Sequence, residues 1–162
     1  MNIRIMGYNP VSLADGDGCR QVIYIAHCTH NCKGCQNEDK NDMYDEKEIQ
    51  EIINILNLRP SLGVTISGGD GLTVQYEQTL ELLKQIKIQT NKNIWLYTGY
   101  TFEEVQRLHP ECLQYIDVMV DGRFIEKKRD ITLAFRGSSN QRIIDVKKTL
   151  EKGNIIKWKK ET

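Results

Sequence analysis

Apolar residues recur along this chain with two periods, near two and near 3.6, and the switches between them divide the sequence into short strands and amphipathic helices. Ile3 to Tyr8 alternates weakly and predicts a short edge strand before a break at Pro10. LADGDGCRQ is turn-rich, and Gln21 to Ala26, QVIYIA, is β-branched and apolar enough for a buried strand. Asp45 with Glu48 reads as a capping box for a helix whose Ile49, Ile52, Ile53 and Leu56 share a face until Pro60 stops it. Leu62 to Ser67 is the next strand and runs straight into Gly68-Gly69-Asp70-Gly71. Tyr76, Leu80, Leu83 and Ile86 fall at helical spacing, and Asn93 to Thr98, NIWLYT, is a third strand ending at Gly99. Thr101 with Glu104 caps a helix striped by Phe102, Val105 and Leu108, which Pro110 ends. Ile116 to Val120 is a fourth strand, ending in Asp121-Gly122.

Strand, loop, helix, strand is the rhythm of an α/β protein built from parallel β/α units. Such units place the loops that follow the strands on one edge of the sheet, where α/β proteins build their sites. A full eight-unit barrel takes about 250 residues, and this chain has 162. The expected fold is therefore an open, curved partial (β/α) barrel, with residues 1–162 forming one domain. Beyond Phe124 the rhythm changes to a C-terminal β extension. There Ile131, Leu133 and Phe135 alternate like a strand, GSSN is a turn, and Gln141 to Val146 is strand-like again. The tail from Lys147 carries six lysines, reads as a solvated face, and has a short strand-like run at Asn154 to Trp158.

Composition narrows the function classes. Lys plus Arg and Asp plus Glu both number 22, so the charge balance gives no indication of a nucleic-acid or other polyanion binder. No apolar run approaches the roughly 20 residues of a membrane span. MNIRIMGYNP has neither signal nor transit-peptide character, which together with reduced-looking cysteine usage implies a cytoplasmic protein. Five cysteines are an odd number for a closed disulfide set, and three of them cluster.

That cluster, AHCTHNCKGCQN, places Cys28, Cys32 and Cys35 in a C-x3-C-x2-C loop directly after a strand. Three thiolates suit a [4Fe–4S] cluster, whose fourth iron is left for a small-molecule chelate. The competing reading is a zinc site completed by His27, His30, His109 or Cys19, although no second C-x2-C knuckle exists. Cys112, just past a helix end, reads as a buried apolar residue, and Cys19 as a structural one. The histidines have no ligand-pair spacing and read as structural or supporting residues. In Ser67-Gly68-Gly69-Asp70 the glycines let a ligand approach the backbone closely, and Asp70 adds a carboxylate suited to an ammonium group. Arg136 and Arg142 suit a carboxylate or a partner's acidic surface, or else are solvated arginines on a hairpin.

The cysteine loop after the first buried strand and GGD after the second resemble the radical S-adenosylmethionine enzymes. GCR, SGGD, WLYTGYTFEEV, IDVMVDGRF and FRGSSNQRIIDV together resemble the branch that activates anaerobic ribonucleoside-triphosphate reductases, from about Asp17 to Val146. The resemblance implies a partial barrel of the radical S-adenosylmethionine type, with Cys28, Cys32 and Cys35 on three irons and S-adenosylmethionine chelating the fourth. It implies that the Ser67-Gly68-Gly69-Asp70 segment binds that cofactor, its backbone receiving the amino group, with Gly34 and Gln36 against the adenine. It implies reductive cleavage of S-adenosylmethionine to a 5′-deoxyadenosyl radical, which takes a hydrogen from a glycine Cα of the reductase large subunit. A flavodoxin or similar protein would donate the electron. Four positions depart from the family's usual residues: Gly34 where an aromatic is common, Gly71 and Asp17 where proline is frequent, and His27 in place of a glycine. An activase for another glycyl-radical enzyme, a small-molecule radical enzyme, an electron carrier and a zinc-binding interaction module are the alternatives.

Overall fold

Four strands of the sheet run parallel and lie side by side in chain order, which is what repeated β/α units require. The computed structural model describes residues 1–30, 32–33 and 43–160. Strands β1 (Asn2–Ser12), β2 (Arg20–Ile25), β3 (Asp45–Glu48), β4 (Gly63–Gly68), β5 (Ile94–Tyr97), β6 (Val118–Asp121) and β7 (Arg142–Asp145) form one sheet in the order β3-β1-β2-β4-β5-β6-β7. The pairs β2·β4, β4·β5 and β5·β6 are parallel, whereas β1, β3 and β7 are added antiparallel at the two sides. The result is an open mixed sheet.

Each parallel crossover steps one strand in the same direction, and right-handed connections then put every helix on the same face. Helices α1 (Ile49–Leu56), α2 (Tyr76–Gln89) and α3 (Phe102–Leu108), with a 3₁₀ turn at Pro110–Tyr115, pack in a row there. Alternate residues of the strands supply that core: Ile23 and Ile25, Val64 and Ile66, Ile94 and Leu96, and Met119, against Ile52, Ile53, Leu56, Leu83 and Phe102. The residues between them face the other way, where Trp95, Val118 and Val120 meet Phe135, Ile143 and Trp158. Thr65, Ser67 and Tyr97 share this second face. One face is thus a helix-covered core, and the other is more polar and only partly covered.

Several expectations from the sequence are met closely. Ile49, Ile52, Ile53 and Leu56 of α1 are buried, the Thr101–Glu104 capping box is present, and a strand, β7, forms within Gln141–Val146. Other expectations are corrected. Asp45–Glu48 is not a helix cap but a strand paired with Asn2–Ile5, so the helix starts at Ile49 and Glu48 caps it without a side-chain bond. This short, charged strand covers the edge that β1 would otherwise expose. β1 is accordingly an interior strand that continues through Pro10. β3 reaches only as far as Ile5, and the pairing with β2 is bulged between Asn9 and Ser12, so the missing Pro10 N–H breaks no ladder.

Ile131, Leu133 and Phe135 do not form a strand. Ile131 is 93% exposed, and Phe135 turns at a φ of 63° to place its ring edge-on to Trp95 at 5.3 Å. The lysine-rich tail is more than a solvated face. Asp145 caps α4 (Val146–Lys152), Lys147 pairs with Asp117 at 2.8 Å, and the chain comes back so that Trp158 packs on Trp95 at 5.1 Å.

At the strand N-terminal edge, the buried Arg20 guanidinium joins β2 to β4 and to the turn before β5. It donates to Thr65 Oγ1, the Asp17 and Val64 carbonyls, and the Asn93 carbonyl and side chain, at 2.7 to 3.1 Å. Burial lowers its pKa to about 10, the nearby Asp17 charge opposing the shift. Replacing Arg20 by Ala leaves several buried acceptors unmatched and is expected to cost about 3 kcal/mol. Arg20→Lys should rescue little, since one ammonium cannot span the same fork. Urea unfolding of the two variants measures both effects.

Candidate active site

The loops after β2, β4, β5 and β6 meet at one edge, as the parallel arrangement demands. Gly68 closes β4 with a φ of 102°, and a Cβ there would stand 2.6 Å from the backbone N and O of Ile25, so only glycine fits. The next two amides tie the turn to the entrance of the cysteine loop: Gly69 N donates to Ile25 O and Asp70 N to His27 O, both at 2.8 Å. The loop bearing the thiols and the glycine turn are therefore stitched together through their backbones.

Asp70 is 1% exposed, and its carboxylate collects donors from three loops. Oδ1 accepts from Leu72 N at 2.9 Å, within its own turn. Oδ2 accepts from Thr98 Oγ1 and Gly99 N, both at 2.8 Å, after β5. The His30 ring, from the cysteine loop, meets the same oxygen through Nε2 at 2.7 Å. The sequence suggested a carboxylate that could meet an ammonium group; in the fold this carboxylate is already bound by protein donors. The ligand-facing part of the motif is then the glycine backbone.

Cys28, Cys32, Ser67, Gly68 and Gly69 line one cavity of about 570 Å³, a size suited to a small-molecule ligand. The cavity lies over the more polar face of the sheet. It is walled by Tyr97 and by the segment after β6, including Phe124, Arg136 and Gln141. Burial raises the Tyr97 phenol pKa well above its ordinary value, reinforced by the charge of Asp15, so it stays protonated. The amide of His30 donates to Cys28 Sγ at 3.4 Å, the kind of N–H to sulfur contact that tunes iron–sulfur centres. Two soft sulfur donors beside a glycine backbone that a ligand can approach fit a cluster with a chelating small molecule. Cys35, Gly34 and Gln36 lie outside the described residues.

Among the described residues no three His, Cys, Asp or Glu side chains gather as a metal-ligand set. His30 is held by Asp70, and His109 stacks on Tyr76 at 3.8 Å. Cys19 lies at the opposite end of β2, about 20 Å away by strand rise. Cys112 is buried, and burial pushes its thiol up to about 12, which leaves it inert. Arg142 is not available to a partner, because it pairs with the buried Asp121 and with Glu103. Arg136 donates to the Gln141 carbonyl.

The supporting role read for the histidines holds for His30, which bonds Asp70, while the roles of Thr98 and Gly99 were missed. The signal of Thr98 and Gly99 lay in WLYTGY, a motif adjacent in space to SGGD and far from it in sequence.

Fold and site together define an α/β protein whose mixed sheet has a parallel centre with a cysteine loop at the strand ends, and the 4Fe-4S single cluster domain family matches residues 14–144. A protein of Haemophilus influenzae named anaerobic ribonucleoside-triphosphate reductase-activating protein is 37% identical over 143 residues, 83% of this chain and 92% of its own length. Proteins of that name from phage T4 and Escherichia coli K12 are 35% and 34% identical, again over 83% of this chain and over 88% and 93% of their own lengths. The chain belongs to the family of anaerobic ribonucleoside-triphosphate reductase-activating proteins.

Two of the departures acquire physical reasons. His27 has a φ of 75°, the left-handed region that glycine enters freely, and its ring packs against Tyr44 at 5.1 Å. His27→Gly should therefore leave stability within about 1 kcal/mol of the parent, whereas the β-branched His27→Val should lose about 2 kcal/mol. Thermal unfolding of the two variants makes the comparison. A Cβ at Gly71 would stand 2.8 Å from Thr79 Oγ1 and 3.0 Å from its Cγ2, so alanine or proline there must displace the Thr79 side chain. Gly71→Ala is expected to cost about 2 kcal/mol in urea unfolding, and adding Thr79→Ala should return most of it.

Proposed function

We propose that this protein is an S-adenosylmethionine-dependent activase that generates the glycyl radical of an anaerobic ribonucleoside-triphosphate reductase. Its relatives carry that activating role in their names, and its family is that of a single [4Fe–4S] cluster. The observation that carries the reading is the shared cavity, which brings Cys28 and Cys32 onto the same wall as Gly68 and Gly69. A reduced cluster held by Cys28, Cys32 and Cys35 would supply the electron that cleaves S-adenosylmethionine to methionine and the 5′-deoxyadenosyl radical that takes a glycine Cα hydrogen.

The chain's own residues bind and shape. The backbone of Ser67, Gly68, Gly69 and Asp70 would receive the methionyl amino group, and the family resemblance assigns the adenine to Gly34 and Gln36. The neutral Tyr97 and the segment after β6 wall the cavity and limit water. The sheet is of the radical S-adenosylmethionine partial-barrel type, and its open side admits a loop of the reductase large subunit. A flavodoxin or similar protein supplies the electron. Among the described residues no helix is long and apolar enough to cross a membrane, and the enzyme works in the cytoplasm as a single domain.

The test is anaerobic. The reconstituted, reduced protein is mixed with S-adenosylmethionine and an anaerobic reductase, and the expected outcome is a glycyl-radical doublet in electron paramagnetic resonance together with methionine release. Replacing any one of Cys28, Cys32 and Cys35 by Ser should abolish both signals. Methionine release without a doublet would sink the assignment of the reductase as target.

A further inference from the structure

His30 stands between two cysteines of the loop and makes contacts in three directions. Its amide donates to Cys28 Sγ at 3.4 Å. Its ring, whose side chain is 4% exposed, reaches Asp70 Oδ2 at 2.7 Å. Because that oxygen already accepts from Thr98 Oγ1 and Gly99 N, and a carboxylate offers no proton of its own, the ring Nε2 is the donor. The ring is also bracketed. Gly99 lies so close that a Cβ there would stand 2.5 Å from His30 Cδ2, and Tyr100 meets the ring edge-on at 4.7 Å. Tyr100 is in turn backed by His109 at 6.1 Å, which stacks on Tyr76.

Resting on the proposed function, we infer that His30 is a positioning residue that registers the cysteine loop with the Gly68-Gly69-Asp70 turn, so that the thiols and the backbone that receives S-adenosylmethionine sit on one frame. A side chain in the cysteine loop has a single buried bond to the carboxylate that also fixes the loops after β4 and β5. The backbone bonds from Gly69 and Asp70 hold the loop only as far as His27; loss of the His30 bond lets Cys28 and Cys32 shift against the turn, and a misplacement of about 1 Å costs much in such a site. The glycine at position 99 is explained by the same contact, since any larger residue would displace the ring.

The experiment compares the parent, His30→Ala, His30→Gln, Gly99→Ala and the double variant Gly99→Ala/His30→Ala, each purified and reconstituted without oxygen. Iron content, melting temperature, the equilibrium Kd for S-adenosylmethionine and the change in the reduced-cluster resonance on its addition are read for each. A positioning role predicts full iron in His30→Ala with a Kd weakened about tenfold and a reduced spectral change. His30→Gln, which can place an amide N–H near the position of Nε2, should recover to within about threefold of the parent. Gly99→Ala should weaken binding in the parent but add nothing when His30 is already Ala, because the ring it would displace is gone.

A parent-like Kd and spectral change in His30→Ala would overturn the inference. So would a His30→Gln variant no better than His30→Ala, or costs that add in the double variant. If His30→Ala does not reconstitute, His30→Gln and Gly99→Ala decide in the same way. A parent that holds iron yet neither binds nor cleaves S-adenosylmethionine would overturn the proposed function and this inference with it. An active parent with indifferent variants overturns the inference alone.

Discussion

The Asp70 carboxylate is the constraint on which the site depends. It is 1% exposed, yet it is matched by donors from its own turn, from the loop after β5 and from the cysteine loop. A buried carboxylate is tolerated only when its acceptor capacity is filled, so each of those donors is fixed as firmly as the carboxylate itself. Three loops that would otherwise be independent become one wall. The opposite edge repeats the device. There Asp117 takes Lys87 and the amide of Ile94 at 2.7 Å and Lys147 at 2.8 Å, closing the N-terminal ends of β5 and β6 and docking α4.

The two faces of the sheet divide the remaining work. All the long helices lie on one face and bury the isoleucine and leucine rows there, leaving the other face to Thr65, Ser67, Tyr97 and a small Trp95 cluster. A face with polar side chains and partial cover can hold a cavity, because a cavity there removes fewer apolar contacts than one in the main core. The parallel strand ends supply backbone groups and glycine turns at its rim. Position and polarity of the site therefore both follow from the direction of the crossovers.

Much of this was legible in the sequence where signals are local. The apolar face of α1, the Thr101–Glu104 box and the strand-end placement of SGGD follow from spacing alone, and the cysteine loop announces its chemistry. Asp45–Glu48 misleads because a polar four-residue edge strand and a capping box have the same composition. Only its pairing with Asn2–Ile5 distinguishes them. The role of Asp70 was half legible. Its place beside the glycines was plain, but its donors come from 28 and 40 residues away in both directions. Spacing rules see along an element and carry nothing about such convergence.

FRGSSNQRIIDV illustrates the same limit and then resolves it. Ser138 is fully buried, with its hydroxyl donating to Asn140 Oδ1 at 2.6 Å and accepting from Ile125 N at 3.2 Å. Asn140 Nδ2 reaches the Arg123 carbonyl at 2.8 Å. Gln141 donates to the Gly122 carbonyl at 3.0 Å while accepting from Gly137 N at 2.8 Å. Three of these bonds, to Gly122, Arg123 and Ile125, tie the return of the segment to its own departure from β6, and the other two brace the returning turn itself. Ser138, Asn140 and Gln141 thus close the base of a loop whose outer part walls the cavity, and Arg142 pairs with Asp121 beside it. A stretch whose composition fits a plain hairpin is, in the fold, the hydrogen-bonded base of the segment that walls the cavity.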